Sequence, residues 1–390
     1  MRYLNLPVAL LALTMFIGCG QKAKADDPSQ PRSFSLAGSG EPLMKGLSAS
    51  PDGTRIAFYL TMSGAMGEMA SSRLVTFNLQ TRQCEFYNEP LGIGSETPRG
   101  ASWSPDSQKL AFTFVESESG NPSGYNVWLL HLDTGAMARL VRHPSEDLVG
   151  GPRLSPDGTR LLVRAGSPGN IAVAEVATQK CSFLLGQPQE GPRIALQPYG
   201  YDWAPDGKTA YISMYHPDPS GMGYYSSNTS GAGIWSIDVT TGERTLLTDD
   251  YEAYVLSTSP SGDYLAFYDA GRPVEAPSLY VVRLKGFQVQ KICDKGEPWT
   301  SWSQTGDRLA FCDSVQARIM VWSPSAKQPK GFPIRKGKPE YHYPAWIGSS
   351  DSLAFITDAR EIWKLDVTSG EQELLITASD ALKAQAPSEE

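Results

Sequence analysis

The chain is poor in the residues with which most enzymes work. It holds only 4 His in 390 residues, at His131, His143, His216 and His342, and they are too scattered for a three-His metal cluster. His131 lies in the apolar run VWLLHL and reads as a histidine satisfied within a sheet. No metal and no cofactor are expected. A G-x-S-x-G elbow is missing, which argues against a Ser peptidase, and no phosphate-binding loop or dinucleotide fingerprint is visible. Runs of Lys or Arg are also missing, and the formal charge of −8 argues against nucleic acid, whose phosphates demand a basic footprint. The longest apolar stretch, residues 4–17, is too short for a comfortable membrane span.

That stretch has a different use. Arg2, the apolar run and then Gly18-Cys19 together read as an export signal. Phe16-Ile17-Gly18-Cys19 resembles a bacterial lipobox, which implies that Cys19 is acylated and heads the mature chain. The lipobox pattern prefers Leu where Phe16 stands, and the alternative is an ordinary signal peptide cut near residues 23–25. Residues 1–19 are thus expected to be a lipoprotein signal peptide, and residues 20–32, polar and without a buriable pattern, a flexible tether. The expected location is the bacterial cell envelope, lipid-anchored on the periplasmic side or at the surface.

What the chain does have is a phrase that returns. SPDGTRIAF at residues 50–58 recurs as WSPDSQKLAF (103–112), LSPDGTRLLV (154–163), WAPDGKTAYI (203–212) and TSPSGDYLAF (258–267), then decays to WSQTGDRLAF (302–311) and WIGSSDSLAF (346–355). Taking Pro51, Pro105, Pro156, Pro205, Pro260, Gln304 and Gly348 as anchors, the steps are 54, 51, 49, 55, 44 and 44 residues. Ser-Pro-Asp-Gly is turn chemistry: Pro presets φ, Asp bonds locally and Gly accepts a positive φ. The apolar triplet that follows is a strand, so each copy is a hairpin. A second pair follows in most copies, as in residues 127–132 with 138–141, 234–239 with 244–247 and 362–367 with 373–376. Four short strands about every 50 residues describe a propeller blade. The expected fold is all-β, a seven-bladed β-propeller with four antiparallel strands per blade over residues 33–378, six or eight blades being the alternatives. Residues 379–390 are expected to fray as a disordered tail. Closure is expected within the seventh copy, although residues 33–37 (SFSLA) offer one further strand.

The repeated Ser-Pro-Asp-Gly followed by Leu-Ala-Phe resembles the WD40-like PD40 repeat of the TolB family and of prolyl oligopeptidase propellers. TolB carries an α/β domain ahead of its propeller, for which the residues between Cys19 and the first repeat leave no room, so the TolB role does not transfer whole. Oligogalacturonate lyases look like relatives too, but the His-rich metal site they use has no counterpart among the thinly spread histidines. As a signal of function the repeat is poor, since propellers host many activities. The aspartates Asp52, Asp106, Asp157 and Asp206 are explained by the turns alone. Cys84 and Cys181 fall in matching places of non-neighbouring blades and cannot pair; Cys293 and Cys312 belong to adjacent blades, and no structural disulfide is expected.

Function is therefore expected on the side the motif does not reach, where the loops between second and third strands and the crossings between blades are long and irregular. The loop of residues 215–233 carries Tyr215, His216, Tyr224 and Tyr225 among Gly, Ser and Asn, a pliable aromatic composition suited to contact. Residues 61–72 add Met62, Met66 and Met69, and residues 116–125 offer a further loop in blade 2. The crossings supply Arg99, Arg153 and Arg193, then Tyr199 and Tyr201, Tyr251 and Tyr254, and Tyr341, His342 and Tyr343. Of 9 Trp, seven follow the repeat: Trp103, Trp203, Trp302 and Trp346 share one position and Trp128, Trp235 and Trp363 another. Trp322 is out of step, and Trp299 stands in a crossing with no repeat reason to be there, which makes it the first candidate for a binding residue.

The expected function is a membrane-tethered, non-catalytic scaffold that binds an envelope protein or peptide through its loop-rich face. A saccharide or small-ligand sensor using the same aromatics is one alternative. A carbohydrate hydrolase or lyase is the other, needing a carboxylate pair at the channel mouth among Asp202, Glu252, Glu297 and Glu340.

Overall fold

In the computed structural model each copy of the phrase opens a blade. The structure describes residues 41–62, 71–87, 101–118, 121–142, 151–165, 170–185, 197–215, 233–251, 253–269, 278–313, 315–334 and 343–384. They form seven sheets of four antiparallel strands, each sheet in simple chain order. Blade 1 spans residues 42–86, blade 2 residues 102–142, blade 3 residues 153–183 and blade 4 residues 197–248; blades 5, 6 and 7 span residues 253–294, 301–333 and 345–377. The protein is a seven-bladed β-propeller. Its last blade is completed by its own fourth strand, Gln372–Thr377, paired with Glu361–Asp366. Residues 33–37 lie outside the described residues.

The turn motif works as a small hydrogen-bonded unit. In blade 1 the Gly53 N–H donates to the Ser50 carbonyl at 2.9 Å. The Ser50 hydroxyl donates to Asp52 Oδ1 at 2.6 Å and accepts the Arg55 N–H at 2.9 Å, while the same Asp52 oxygen accepts the Thr54 N–H at 2.9 Å. Blade 3 repeats this with Ser155, Asp157 and Arg160. The serines at this position, from Ser50 to Ser303, are all buried.

The turns also fit one another around the ring. A side chain on Gly158 would meet Pro105 of the preceding blade at 3.2 Å, and one on Gly262 would meet Pro205 at 3.4 Å. Where blade 7 meets blade 1, Gly348 stands at the Pro position because Gly53 occupies the space: a Cβ on Gly348 would lie 2.9 Å from the Gly53 Cα.

The core sits between blades rather than within them. Seven clusters of buried apolar side chains each bridge one neighbouring pair, for example Leu162, Trp203 and Ile212 between blades 3 and 4 and Phe58, Met44 and Ile356 between blades 1 and 7. This follows from strands such as Ser352–Thr357, buried on both faces, whose runs are continuously apolar instead of alternating.

Two expectations need correcting. Residues 379–384, expected to fray, belong to a helix, α1 (Ala378–Ala384), with Ala381 wholly buried in the cluster of blades 1 and 7. Thr377 caps it, its hydroxyl accepting the Asp380 N–H at 3.0 Å. Residues 116–125, read as a loop, continue the blade 2 hairpin: the strands Lys109–Glu118 and Asn121–His131 pair out to Glu118 opposite Asn121.

Candidate binding channel

The first strand of every blade lines a central cavity of about 860 Å3. One position recurs there, the residue just before the Trp of the repeat: Ser48, Ser102, Arg153, Asp202, Ser257, Ser301 and Ala345. From blade 1 to blade 7 the same position ties each blade to the one that follows it in the chain. Trp103 Nε1 donates to Ser48 Oγ at 3.1 Å, the Leu154 N–H to Ser102 Oγ at 3.0 Å, and Trp203 Nε1 to the Arg153 carbonyl at 2.8 Å. The Thr258 N–H donates to Asp202 Oδ2 at 2.7 Å, Trp302 Nε1 to the Ser257 carbonyl at 3.0 Å and Trp346 Nε1 to the Ser301 carbonyl at 3.0 Å. Trp103, Trp203, Trp302 and Trp346 are thus struts across the seams, consistent with their shared register in the sequence.

Nearer the crossings the wall turns aromatic. Tyr199, Tyr254, Tyr268, Trp299 and Tyr343 all line the cavity, on blades 4 and 5 and on the crossings into blades 6 and 7. Tyr199 and Tyr254 meet edge to face at 4.6 Å, and Trp299 and Tyr343 lie 4.9 Å apart. The Tyr199–Tyr254 contact depends on Gly200. A Cβ there would come within 2.5 Å of the Tyr254 carbonyl oxygen, so only glycine lets the first strands of blades 4 and 5 approach so closely. Arg164 lies over the Tyr199 ring at 5.8 Å. The Trp299 Nε1–H is buried without a hydrogen-bond partner, an unmet donor at the collar.

Among the described residues, Lys45, Arg153 and Asp202 are the charged ones that line the cavity. Both Asp202 oxygens accept backbone N–H groups, from Trp203 at 3.0 Å and Thr258 at 2.7 Å. Burial pushes its pKa up, against the pull of the Arg153 charge and of those two N–H groups. Glu297 is buried behind this wall, where its charge, after burial itself, helps push the Tyr268 phenol up to about 12.

Of the residues singled out in the sequence, the channel gathers Arg153, Tyr199, Tyr201, Tyr254, Trp299 and Tyr343. Tyr201 is locked in place, its hydroxyl donating to the Gly151 carbonyl at 2.5 Å and accepting the Arg164 N–H at 3.2 Å. Tyr251 is not in the channel; it packs in blade 5 against Phe267 at 5.0 Å and Tyr280 at 5.1 Å. Trp322 is core, 2% exposed and edge-on to Trp302 and Tyr264. Cys19, Arg99, Arg193, His216, Tyr224, Tyr225, Tyr341, His342, Glu252 and Glu340 lie outside the described residues, as does the side chain of Tyr215. Cys84, Cys181, Cys293 and Cys312 are free thiols. Sequence reasoning missed Lys45 and Tyr268. Lys45 stands three residues before Ser48, as Tyr199 stands before Asp202 and Tyr254 before Ser257, so aligning the repeats upstream of the motif finds it.

No family model and no curated protein sequence matches the chain. Its fold is similar to that of several solved structures. TolB from Acinetobacter baumannii matches with a TM-score of 0.52 at 16% identity over 82% of this chain and 68% of that one. The β-propeller domain of the Trilobed protease from Pyrococcus furiosus, described as having an open velcro topology, matches at 0.59 and 14% identity over 87% and 97%. An oligogalacturonate lyase in complex with manganese matches at 0.60 and 12% identity over 81% and 86%. At these identities the likeness is one of fold: that of TolB and other PD40-type propellers.

Proposed function

We propose that this protein is a lipid-tethered propeller of the bacterial cell envelope that holds a protein or peptide partner without transforming it. One observation carries the reading: aromatic rings from blades 4 and 5 and from two separate crossings, Tyr199, Tyr254, Trp299 and Tyr343, gather around a single channel mouth. Rigid aromatic surface that loses little entropy on contact is what peptide recognition uses. The tether rests on the Cys19 signal in the sequence. Against an enzyme, the channel carboxylate Asp202 spends both oxygens on backbone N–H groups.

The test is capture from native envelope by the lipidated protein. Tyr254→Ala with Trp299→Ala should abolish capture of the partner that the parent protein retains, with the melting temperature moving by only a few degrees. Undiminished capture by that variant would remove the proposal. Cys19→Ser should release the protein into the soluble fraction, and a membrane-bound variant would remove the tether.

A further inference from the structure

Resting on the reading above, the channel's two sides differ, and the difference names the end of the ligand. One arc of the wall, on blades 4 to 7, is aromatic; the opposite arc, on blades 1 and 3, carries the cations Lys45 and Arg153. Among the described residues the wall thus holds two cations against one anion, in a chain of formal charge −8. The one anion is already committed, since its two oxygens are held by the Trp203 and Thr258 N–H groups. Neither the Arg153 guanidinium nor the Lys45 ammonium makes an ion pair among the described residues. Arg153 is fixed at its backbone instead, where its carbonyl accepts the Trp203 indole N–H at 2.8 Å. An arginine held by its main chain at a channel wall, near enough for its charge to act on Asp202 yet in no ion pair among the described residues, can offer its planar fork to a carboxylate and grip it through two parallel bonds.

We infer that the channel takes an apolar ligand that ends in a free carboxylate, with the carboxylate on Arg153, Lys45 supporting it from blade 1, and the apolar body against Tyr199, Tyr254, Trp299 and Tyr343. A cavity of about 860 Å3 accommodates a few residues of peptide, within the usual range for a bound small ligand. The indole N–H of Trp299, buried without an acceptor, is the donor for a carbonyl next to that end. The carboxylate belongs either to the C-terminus of a peptide or to a free aryl-alkyl acid. An internal loop of a folded partner lacks it, and a neutral sugar lacks it too.

The experiment compares two fluorescein-labelled pentapeptides of sequence Gly-Ser-Ala-Leu-Phe by anisotropy on the full chain, one with a free C-terminal acid and one with a C-terminal amide. The acid should bind and the amide should bind at least about tenfold more weakly, the worth of one charge-assisted bidentate pair. Arg153→Gln should bring the acid down to the level of the amide. Arg153→Lys should keep part of the preference, and Lys45→Gln should weaken the acid by about threefold through the lost supporting charge. Raised salt should weaken the acid more than the amide. Competition by 4-phenylbutyrate at like concentration assigns the site to small acids, and its failure assigns it to chain ends; either result supports the carboxylate. Equal affinity of acid and amide for the parent protein overturns the inference without any variant having to fold, and so does binding of neither. Equal affinity would leave peptide binding standing, whereas loss of envelope capture in the Tyr254→Ala, Trp299→Ala protein bears on the broader reading alone.

Discussion

Six of the seven seams between blades are alike, and the seventh is not. From blade 1 to blade 7 each seam is crossed by the chain and braced at the same register, where the residue before the Trp of one blade bonds to the Trp position of the next. At the seam between blades 7 and 1 those two positions are Ala345 and Ala49, and the brace is missing. Other contacts hold it. The Met44 N–H donates to the Ala359 carbonyl at 2.5 Å, Arg82 pairs with Glu373 at 3.0 Å and reaches the Leu374 carbonyl at 3.1 Å, and Arg360 pairs with Glu41 at 2.6 Å. Helix α1 then lays Ala378 and Ala381 into the shared cluster. A covalently continuous seam can rely on one buried strut; a seam joined only by contact uses a helix and surface charges.

Breaking a strut should cost most. Trp203→Ala removes a 4% exposed indole and its bond to blade 3, and should lose about 3–5 kcal/mol in urea unfolding. Breaking the closing seam should cost less: Ala381→Glu forces a carboxylate into a wholly buried position of α1 and should lose about 2–3 kcal/mol. If the closing seam is the weaker one, hydrogen exchange should find the Met44 amide opening before the Trp346 amide; the reverse order would break the comparison. Smaller still is the loss of the exposed ion pairs. Arg82→Ala with Arg360→Ala should cost no more than about 1 kcal/mol, and less in high salt.

The smallest effect concerns acid. The Ser155 hydroxyl, and after it the Thr159 N–H, hold the Asp157 pKa down to about 2. A carboxylate whose folded pKa lies below its unfolded value stabilises the fold above the unfolded value and loses that contribution as pH falls through the folded one. The fold should therefore weaken between about pH 4 and pH 2, and Asp157→Asn should flatten that part of a stability profile. Because the Asp157 turn packs on blade 2, where Gly158 faces Pro105, this change should not distinguish the seam between blades 7 and 1 from the rest.

Most of the fold was legible in the sequence because a repeat reports itself seven times. The strand pairs at residues 127–132 and 138–141 fall on Asn121–His131 and Met137–Arg142, and the seven repeat tryptophans fall in the strands that their register implied. The site was legible only in part. Trp299 stood out because nothing in the repeat called for it, and Tyr199, Tyr254 and Tyr343 because they fell in stretches read as crossings, although Tyr199 and Tyr254 belong to the first strands Gln197–Trp203 and Ala253–Thr258. Tyr251 shares that placement, yet three residues before Tyr254 it falls short of the channel and joins the blade 5 core. Helix α1 left no periodic signal: in ASDALKA its buried face is two alanines, Ala378 and Ala381, too small to mark an amphipathic segment. Tyr268 was hidden because it follows the repeated Leu-Ala-Phe and passes for one more strand residue.

Because every blade is built from one unbroken length of chain, the position of the ends along the ring is a matter of history rather than of geometry. Joining the residues after α1 to those before Pro42 and opening the chain at a crossing, between blades 3 and 4 for instance, would turn the present closing seam into a continuous one. A permuted chain of that kind would fold to the same ring with its one unlinked junction moved.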